Sequence, residues 1–431
     1  MFIQFAVLGS WAPVLSRHFE MLGLSPSAIS LVFSTSALGA LLAPLPWSQI
    51  ADRWLSAERC ISICSAVSGI LLWRLASVRG EVELFWMFLA VWLFVMPIFS
   101  LVPAVTFRHM SHPEQQFGFI RMWGTIGWMF ASWLVTGWFL LPGTRLAQDW
   151  ADAFRLGALF SWILCFYALT LPNTPPLKPT VTHDSLWRRA IDAPLLALKL
   201  FRIPAFVVYC FCYFGLYVSW PFNMQMTAPS IKTAMFDLGI EEPWLPVIMT
   251  IAQITEVATL AWLPWLLGRC SQKAVMRVGI ACWAVALIVL AFGRPPGLLI
   301  VSLLLHGVYI TCFLVAGQVF VNRIARHDFR ASAQGLLVIV NGSGLLVGNF
   351  LAAWVRAPNP EAFASPAIIF GSLIPDGSGL LAGNASSLAF LVPMRNAYAE
   401  AFVFPAIMVG CLVGLFVVGF RPPPRSAEAE A

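Results

Sequence analysis

The sequence predicts an all-α membrane protein of twelve transmembrane helices arranged as two six-helix halves. Three observations lead there. The 431 residues are 59% hydrophobic and only 11% charged, with a mean hydropathy of +0.81, whereas a soluble domain is about 25% charged. Apolar runs of about 20 residues, long enough to cross ~30 Å of hydrocarbon, can be marked off twelve times. One long, basic, proline-rich segment separates the first six runs from the last six.

The runs fall near 2–19, 26–50, 60–79, 83–107, 117–141 and 154–171, then 203–226, 244–267, 275–293, 297–321, 332–355 and 397–420. Met1 leads straight into the first run with no basic start, and no Ala-x-Ala site precedes Trp11-Ala-Pro. That run therefore reads as a membrane helix rather than a signal peptide. The expected organisation is a first bundle over 1–171, a cytoplasmic linker over 172–202, a second bundle over 203–420 and a tail over 421–431. The linker carries Arg188, Arg189, Lys199 and Arg202, which suit a piece lying on the inner leaflet. The loop from Ala357 to Arg395 is rich in Gly, Ser and Pro and reads as an irregular cap, and the sequon-like Asn384-Ala-Ser386 in it reads as chance.

Loop charge sets the expected orientation. With the N-terminus inside, sixteen of the 26 lysines and arginines fall on cytoplasmic segments, nine fall outside, and Arg121 lies within a span. This bias places both termini in the cytoplasm. The net charge of +6 then reports orientation, and no run of like charge points to a nucleic-acid partner. The 19 Trp and 34 Phe are expected at the interfaces and against lipid. The nine cysteines contain no Cys-x-x-Cys pair and read as small packing residues. No cofactor or metal is expected, because there is no phosphate loop, zinc spacing or Gly-x-Ser-x-Gly, and the spans lack the reactive cluster an enzyme needs.

Polar residues inside the spans are few, so each carries information. Glu256 comes first. A charge at bilayer depth costs ~2.5–3.5 kcal/mol on insertion scales, and a low-dielectric cleft favours the neutral acid, so a mid-span carboxyl suits proton uptake and release. Gln253 lies one turn earlier on the same face and offers both a donor and an acceptor. In the fifth span Arg121, Thr125 and Trp128 share a face. A guanidinium, a hydroxyl and an indole in a row suit a polar planar ligand, while the alternative is an arginine that snorkels to the inner surface. Asn223 and Gln225 come late in the seventh span after Pro221, where a freed carbonyl predicts a bent helix end facing a cavity. His306, inside the tenth span, suits proton relay, ligand donation or packing, and is counted among the expected substrate-binding residues. The glycines at 124, 127, 342, 344 and 348 read as close helix contacts.

A six-plus-six layout with a central inner loop is the arrangement of major facilitator transporters, although channels and membrane enzymes can also have twelve spans. Several segments narrow this: Gln4-Phe5 with Gly9-Ser10-Trp11, Ile50-Ala-Asp52-Arg53-Trp54-Leu-Ser-Ala, Ile120-Arg121-Met-Trp-Gly-Thr125-Ile-Gly, Gln253-Ile-Thr-Glu256 and Arg330-Ala-Ser-Ala-Gln334-Gly335. Over most of its length the chain resembles the nucleoside:proton symporters of the major facilitator superfamily. The resemblance implies import of nucleosides with protons across a bacterial inner membrane. It implies nucleoside binding by Arg121, Thr125, an aromatic at Trp128, Asn223, Gln253 and Glu256, with His306-Gly307 opening the tenth-span motif. The expected partners are a nucleoside, a proton and the lipid bilayer, in a monomer.

Three positions depart from that pattern. Thr311 stands where the family's tenth span carries an Asp, Pro103 replaces a polar residue of the fourth span, and Ser48 replaces a glycine of the inner-loop motif. Glu256 is then the only obvious acid within a span. The alternatives are a facilitator, a symporter of another polar metabolite such as a sugar, and a sensor that binds without translocating.

Overall fold

The computed structural model describes residues 1–43, 46–47, 50–51, 54–109, 113–141, 150–174, 199–293, 295–324, 330–355 and 398–422. The Asp52-Arg53 pair, segment 175–198 of the expected linker, the cap loop and the end of the tail lie outside them. Among the described residues every regular element is helical, and twelve rods can be traced, six on either side of 175–198. They are α1 (Phe2–Trp11, continued by Leu15–Met21), α2 (Pro26–Leu42), α3 (Ala57–Leu75), α4 (Glu81–His109), α5 (Pro113–Leu140) and α6 (Ala151–Ala168), then α7 (Pro204–Asp237), α8 (Leu245–Met249 continued by Ile251–Arg269), α9 (Gln272–Phe292), α10 (Pro296–Tyr309 continued to Ile324), α11 (Arg330–Val355) and α12 (Val403–Gly419). Eight stretches are long and apolar enough to span a membrane by length and composition, and side chains such as Trp86, Phe166, Phe211 and Phe350 point outward as a lipid-facing coat.

Local sequence explains several helix ends. Ser25 precedes Pro26 and its hydroxyl accepts the Ala28 amide at 3.2 Å, while Ser271 does the same for Ala274. Gly293 closes α9 at φ 70°, a left-handed conformation that glycine adopts without Cβ strain. Pro13 breaks α1 into two pieces through the 3-10 turn Ala12–Val14. The second apolar run reaches 50, but α2 ends at Leu42, just before Pro44 and Pro46, which remove donors and disfavour helix in the residues ahead of them.

The seventh run differs most from expectation. Instead of ending after Pro221, α7 continues as one helix of 34 residues through Pro221 and Pro229. The packing of α11 allows this. Gly348 sits so close that a Cβ there would lie 2.9 Å from the Pro221 ring, so a neighbouring helix supports the interrupted stretch. Asn223 and Gln225 are consequently mid-helix residues.

Helix packing repeats with a shift of six. In the first half α1 packs on α5 and α6, α3 packs on α4 and α6, and α2 packs on α4. In the second half α7 packs on α11 and α12, α9 packs on α10 and α12, and α8 packs on α10. Each half encloses its own apolar core, one around Trp11, Phe88 and Phe154 and the other around Trp283, Tyr309 and Phe313. The two largest seams between the halves are α2 on α11 and α5 on α8, and the same shift relates one to the other. This is the parallel-repeat plan of a major facilitator fold, with the space for solute between repeats.

Candidate functional site

The α5–α8 seam brings together residues 131 positions apart. Arg121 Nη1 donates to Thr125 Oγ1 at 3.2 Å, one turn along α5. Thr125 Oγ1 donates to Glu256 Oε1 at 3.5 Å, and Arg121 Nη2 lies 3.9 Å from the same oxygen. Thr125 and Glu256 are 3% and 5% exposed, so the carboxylate is buried and needs these partners. The Arg121 guanidinium also lies over the Phe5 ring of α1, 4.4 Å from its centroid, an attraction worth ~0.5–2 kcal/mol. The arginine is thus held within the seam rather than turned out to the membrane surface.

Gln253 sits one turn before Glu256, and its Oε1 is buried without a hydrogen-bond donor among the described residues. An acceptor left unmet beside an ion pair is what a hydroxylated ligand would satisfy. Trp128 lies on α5 above Thr125 and packs against the first-half core. Asn223 is buried, with its Nδ2 donating to Thr227 Oγ1 of its own helix at 3.0 Å. His306 lies in an aromatic box, 5.2 Å from Trp220 and 5.1 Å from Trp283 between ring centroids. The structure therefore joins Arg121, Thr125 and Glu256 directly and sets Gln253 beside them. Trp128, Asn223 and His306 have their own partners, in the first-half core, along α7 and in the aromatic box, rather than within this chain of contacts.

Other seam contacts were not legible beforehand. Ser30 of α2 donates to Gln225 Oε1 at 2.8 Å, and Gln225 Nε2 donates to Asn349 Oδ1 of α11 at 2.8 Å. Trp133 Nε1 donates to Thr250 Oγ1 at 2.9 Å. Arg17 Nε meets Glu242 Oε1 at 2.7 Å, Lys232 reaches the other oxygen of Glu242 at 3.5 Å, and Tyr398 donates to Glu20 at 2.9 Å. A lone serine or threonine in an apolar run gives no sign that it faces a partner 195 residues away. Only the pairing of amide and hydroxyl residues in different spans could have hinted at it.

α10 backs the site. Its residues Ile310–Val315 form a π-helical turn. Thr259 Oγ1 donates to Thr311 Oγ1 at 2.9 Å, and Thr311 Oγ1 donates to the main-chain oxygen of Glu256 at 3.4 Å. Among the described residues no group of three His, Cys, Asp or Glu is placed to hold a metal ion.

The seam joins an acid to a base at mid-membrane between two repeats, and comparison with known proteins decides what kind of carrier this is. The nucleoside H+ symporter profile matches residues 1–364. The chain belongs to the nucleoside H+ symporter family. Among its relatives, the nucleoside permease NupG of Escherichia coli (strain K12) is 29% identical over 366 residues, covering 82% of this chain and 85% of that one. The xanthosine permease of the same organism is 28% identical over 363 residues, covering 81% and 85%. The crystal structure of nucleoside transporter NupG superposes with a TM-score of 0.73 at 24% identity over 97% of both chains, which supports the fold. The symporter is thus a multi-pass membrane transporter of nucleosides and protons, not an enzyme.

Proposed function

We propose that the symporter imports nucleosides by alternating access across a bacterial inner membrane, with Glu256 as the group that carries the proton. The observation behind this is the chain Arg121–Thr125–Glu256, in which a base from one half meets an acid from the other. In the empty carrier the two charges offset each other. A proton on Glu256 removes its claim on Arg121 and turns the carboxyl into a donor as well as an acceptor. Ribose hydroxyls then meet Glu256 and the unmet oxygen of Gln253, with Asn223 in support. The base meets Arg121 and Thr125 and stacks on Trp128, and His306 belongs to the wall behind α8. Burying a neutral carboxyl costs far less than burying its anion, so the loaded carrier passes through its occluded state more readily.

The face bearing the chain ends is assigned to the cytoplasm from the loop-charge bias. Among the described residues, the polar contacts between halves run from Glu256 toward the opposite face. The moving bodies are 1–171 and 203–420, joined by 172–202, and the working unit is a monomer in lipid. Radiolabelled uridine and adenosine uptake into proteoliposomes tests the scheme. An inward proton gradient should accelerate uptake by the wild type and leave Glu256→Gln indifferent. Full gradient-driven uptake in Glu256→Gln would overturn it.

A further inference from the structure

The main chain of α8 at Glu256 is gripped by α10 at two levels. One turn below Thr311, Gly307 lies against α8 so closely that a Cβ there would fall on the carbonyl oxygen of Ala252 and 2.6 Å from the Glu256 amide nitrogen. Above it, Thr311 donates to the carbonyl oxygen of Glu256 and accepts from Thr259. Helical threonines commonly donate to a carbonyl of their own preceding turn, as Thr255 does to Ile251 at 3.2 Å and Thr106 to Val102 at 2.7 Å. Thr311 instead directs its hydroxyl to another helix. It does so from within the π turn Ile310–Val315. A π turn inserts one residue into the helical count, which rotates the next turns of the helix away from their straight α-helical positions, and such turns concentrate at functional sites.

The side chain of Glu256 meanwhile reaches the other way, to Thr125 and Arg121 of the first half. We infer that Thr311 is a positioning residue for Glu256: its hydroxyl fixes the main chain of α8 so that the carboxyl is aimed at Thr125, Arg121 and the bound nucleoside. Gly307 supplies the close approach that puts the hydroxyl in reach. The inference rests on the assignment of Glu256 to the nucleoside site. It adds a residue behind α8, outside the chain Arg121–Thr125–Glu256 itself.

Binding of labelled uridine and adenosine to the purified full-length symporter tests it through a double-mutant cycle of Thr311→Val with Glu256→Ala. Thr311→Val keeps the shape and removes the hydroxyl. It should raise Kd by about three- to tenfold, the fold-change expected for one hydrogen bond, while Thr311→Ser, which restores the hydroxyl, should bind like the wild type. Because Thr311 acts through the carboxyl, Thr311→Val should add nothing to the loss caused by Glu256→Ala. Equal effects of Thr311→Val in both backgrounds, or an unchanged Kd where Glu256→Ala weakens binding, would overturn the inference alone. An unchanged Kd in Glu256→Ala itself would overturn the Glu256 assignment and the inference with it. If Thr311→Val does not fold, Thr311→Ala carries the same cycle, since it removes the same hydroxyl.

Discussion

Glu256 is held from two sides by groups that do different work. Thr125 and Arg121 hold its carboxyl and Thr311 holds its main chain. Thr125→Val removes the hydroxyl between the two charges without removing either, so nucleoside affinity should fall about three- to tenfold, in line with ~0.5–1.5 kcal/mol per hydrogen bond. Equilibrium binding of uridine and adenosine checks this. A second acid has a structural role. Glu58, in the first turn of α3 and ahead of the expected third span, is 6% exposed and accepts the Thr174 amide at 3.1 Å, tying the start of α3 to the chain beyond α6. Burial alone would push this carboxyl up, but the nearby Ser56 hydroxyl and the amides of Glu58 and Thr174 outweigh it and hold it below the usual carboxylate range. The folded protein then binds fewer protons at this group than the unfolded chain does. Its contribution is complete above the unfolded value of about 4.3 and is lost as pH falls through the lower folded value. Melting curves in detergent should show Glu58→Gln less stable than the wild type near neutrality, by about 1.5–3 kcal/mol for a buried bond to a charged group, with the difference shrinking in acid. At this scale the sequence was informative about Glu256 because a lone acid in an apolar run stands out. It was silent on Thr311 as a partner of Glu256, because a threonine looks the same whether it bonds to its own helix or to another.

Helices were legible as elements but not in their interruptions. The apolar runs located all twelve, since a membrane span must satisfy its backbone internally and be apolar over a fixed length. The extension of α7 through two prolines and the π turn of α10 were not legible, because both depend on what an adjacent helix supplies. Pro221 reads as a break in sequence and as packed helix once α11 lies beside it. The contact of α10 with α8 is a close one within the second half, and Gly307→Ala would force those main chains apart. Overpacking of this kind costs about 1–3 kcal/mol, so the variant should melt lower and transport more slowly. Thermal denaturation and uridine uptake measured on the same preparation would show both.

Across the whole molecule, the repeat by six was foreseen from layout alone, while the seams between repeats had to be seen. A seam depends on which face each helix turns inward, and a run apolar all round does not encode that. Arg17, Glu242 and Lys232, with Glu20 and Tyr398, tie the halves at the face away from the chain ends. Exposed or half-exposed pairs are each worth up to about 1 kcal/mol, so Glu242→Gln should shift the balance between closed and open states a few-fold. In a background with the nine native cysteines replaced, a Thr125→Cys reporter should then react faster with a membrane-impermeant thiol reagent added from that face. An unchanged rate would mean that the pairs do not restrain opening.

The pairing of Arg121 with Glu256 also has an electrical consequence. An empty carrier in which these two charges neutralise each other gives the field nothing to act on at the site. A loaded carrier, with Glu256 protonated and an uncharged nucleoside aboard, retains the unbalanced charge of Arg121. Membrane voltage, worth about 2.3 kcal/mol per elementary charge at 100 mV, should therefore drive the inward journey and leave the empty return untouched. An inside-negative potential would raise the rate of net uptake until the return becomes limiting, and the current would then saturate with voltage.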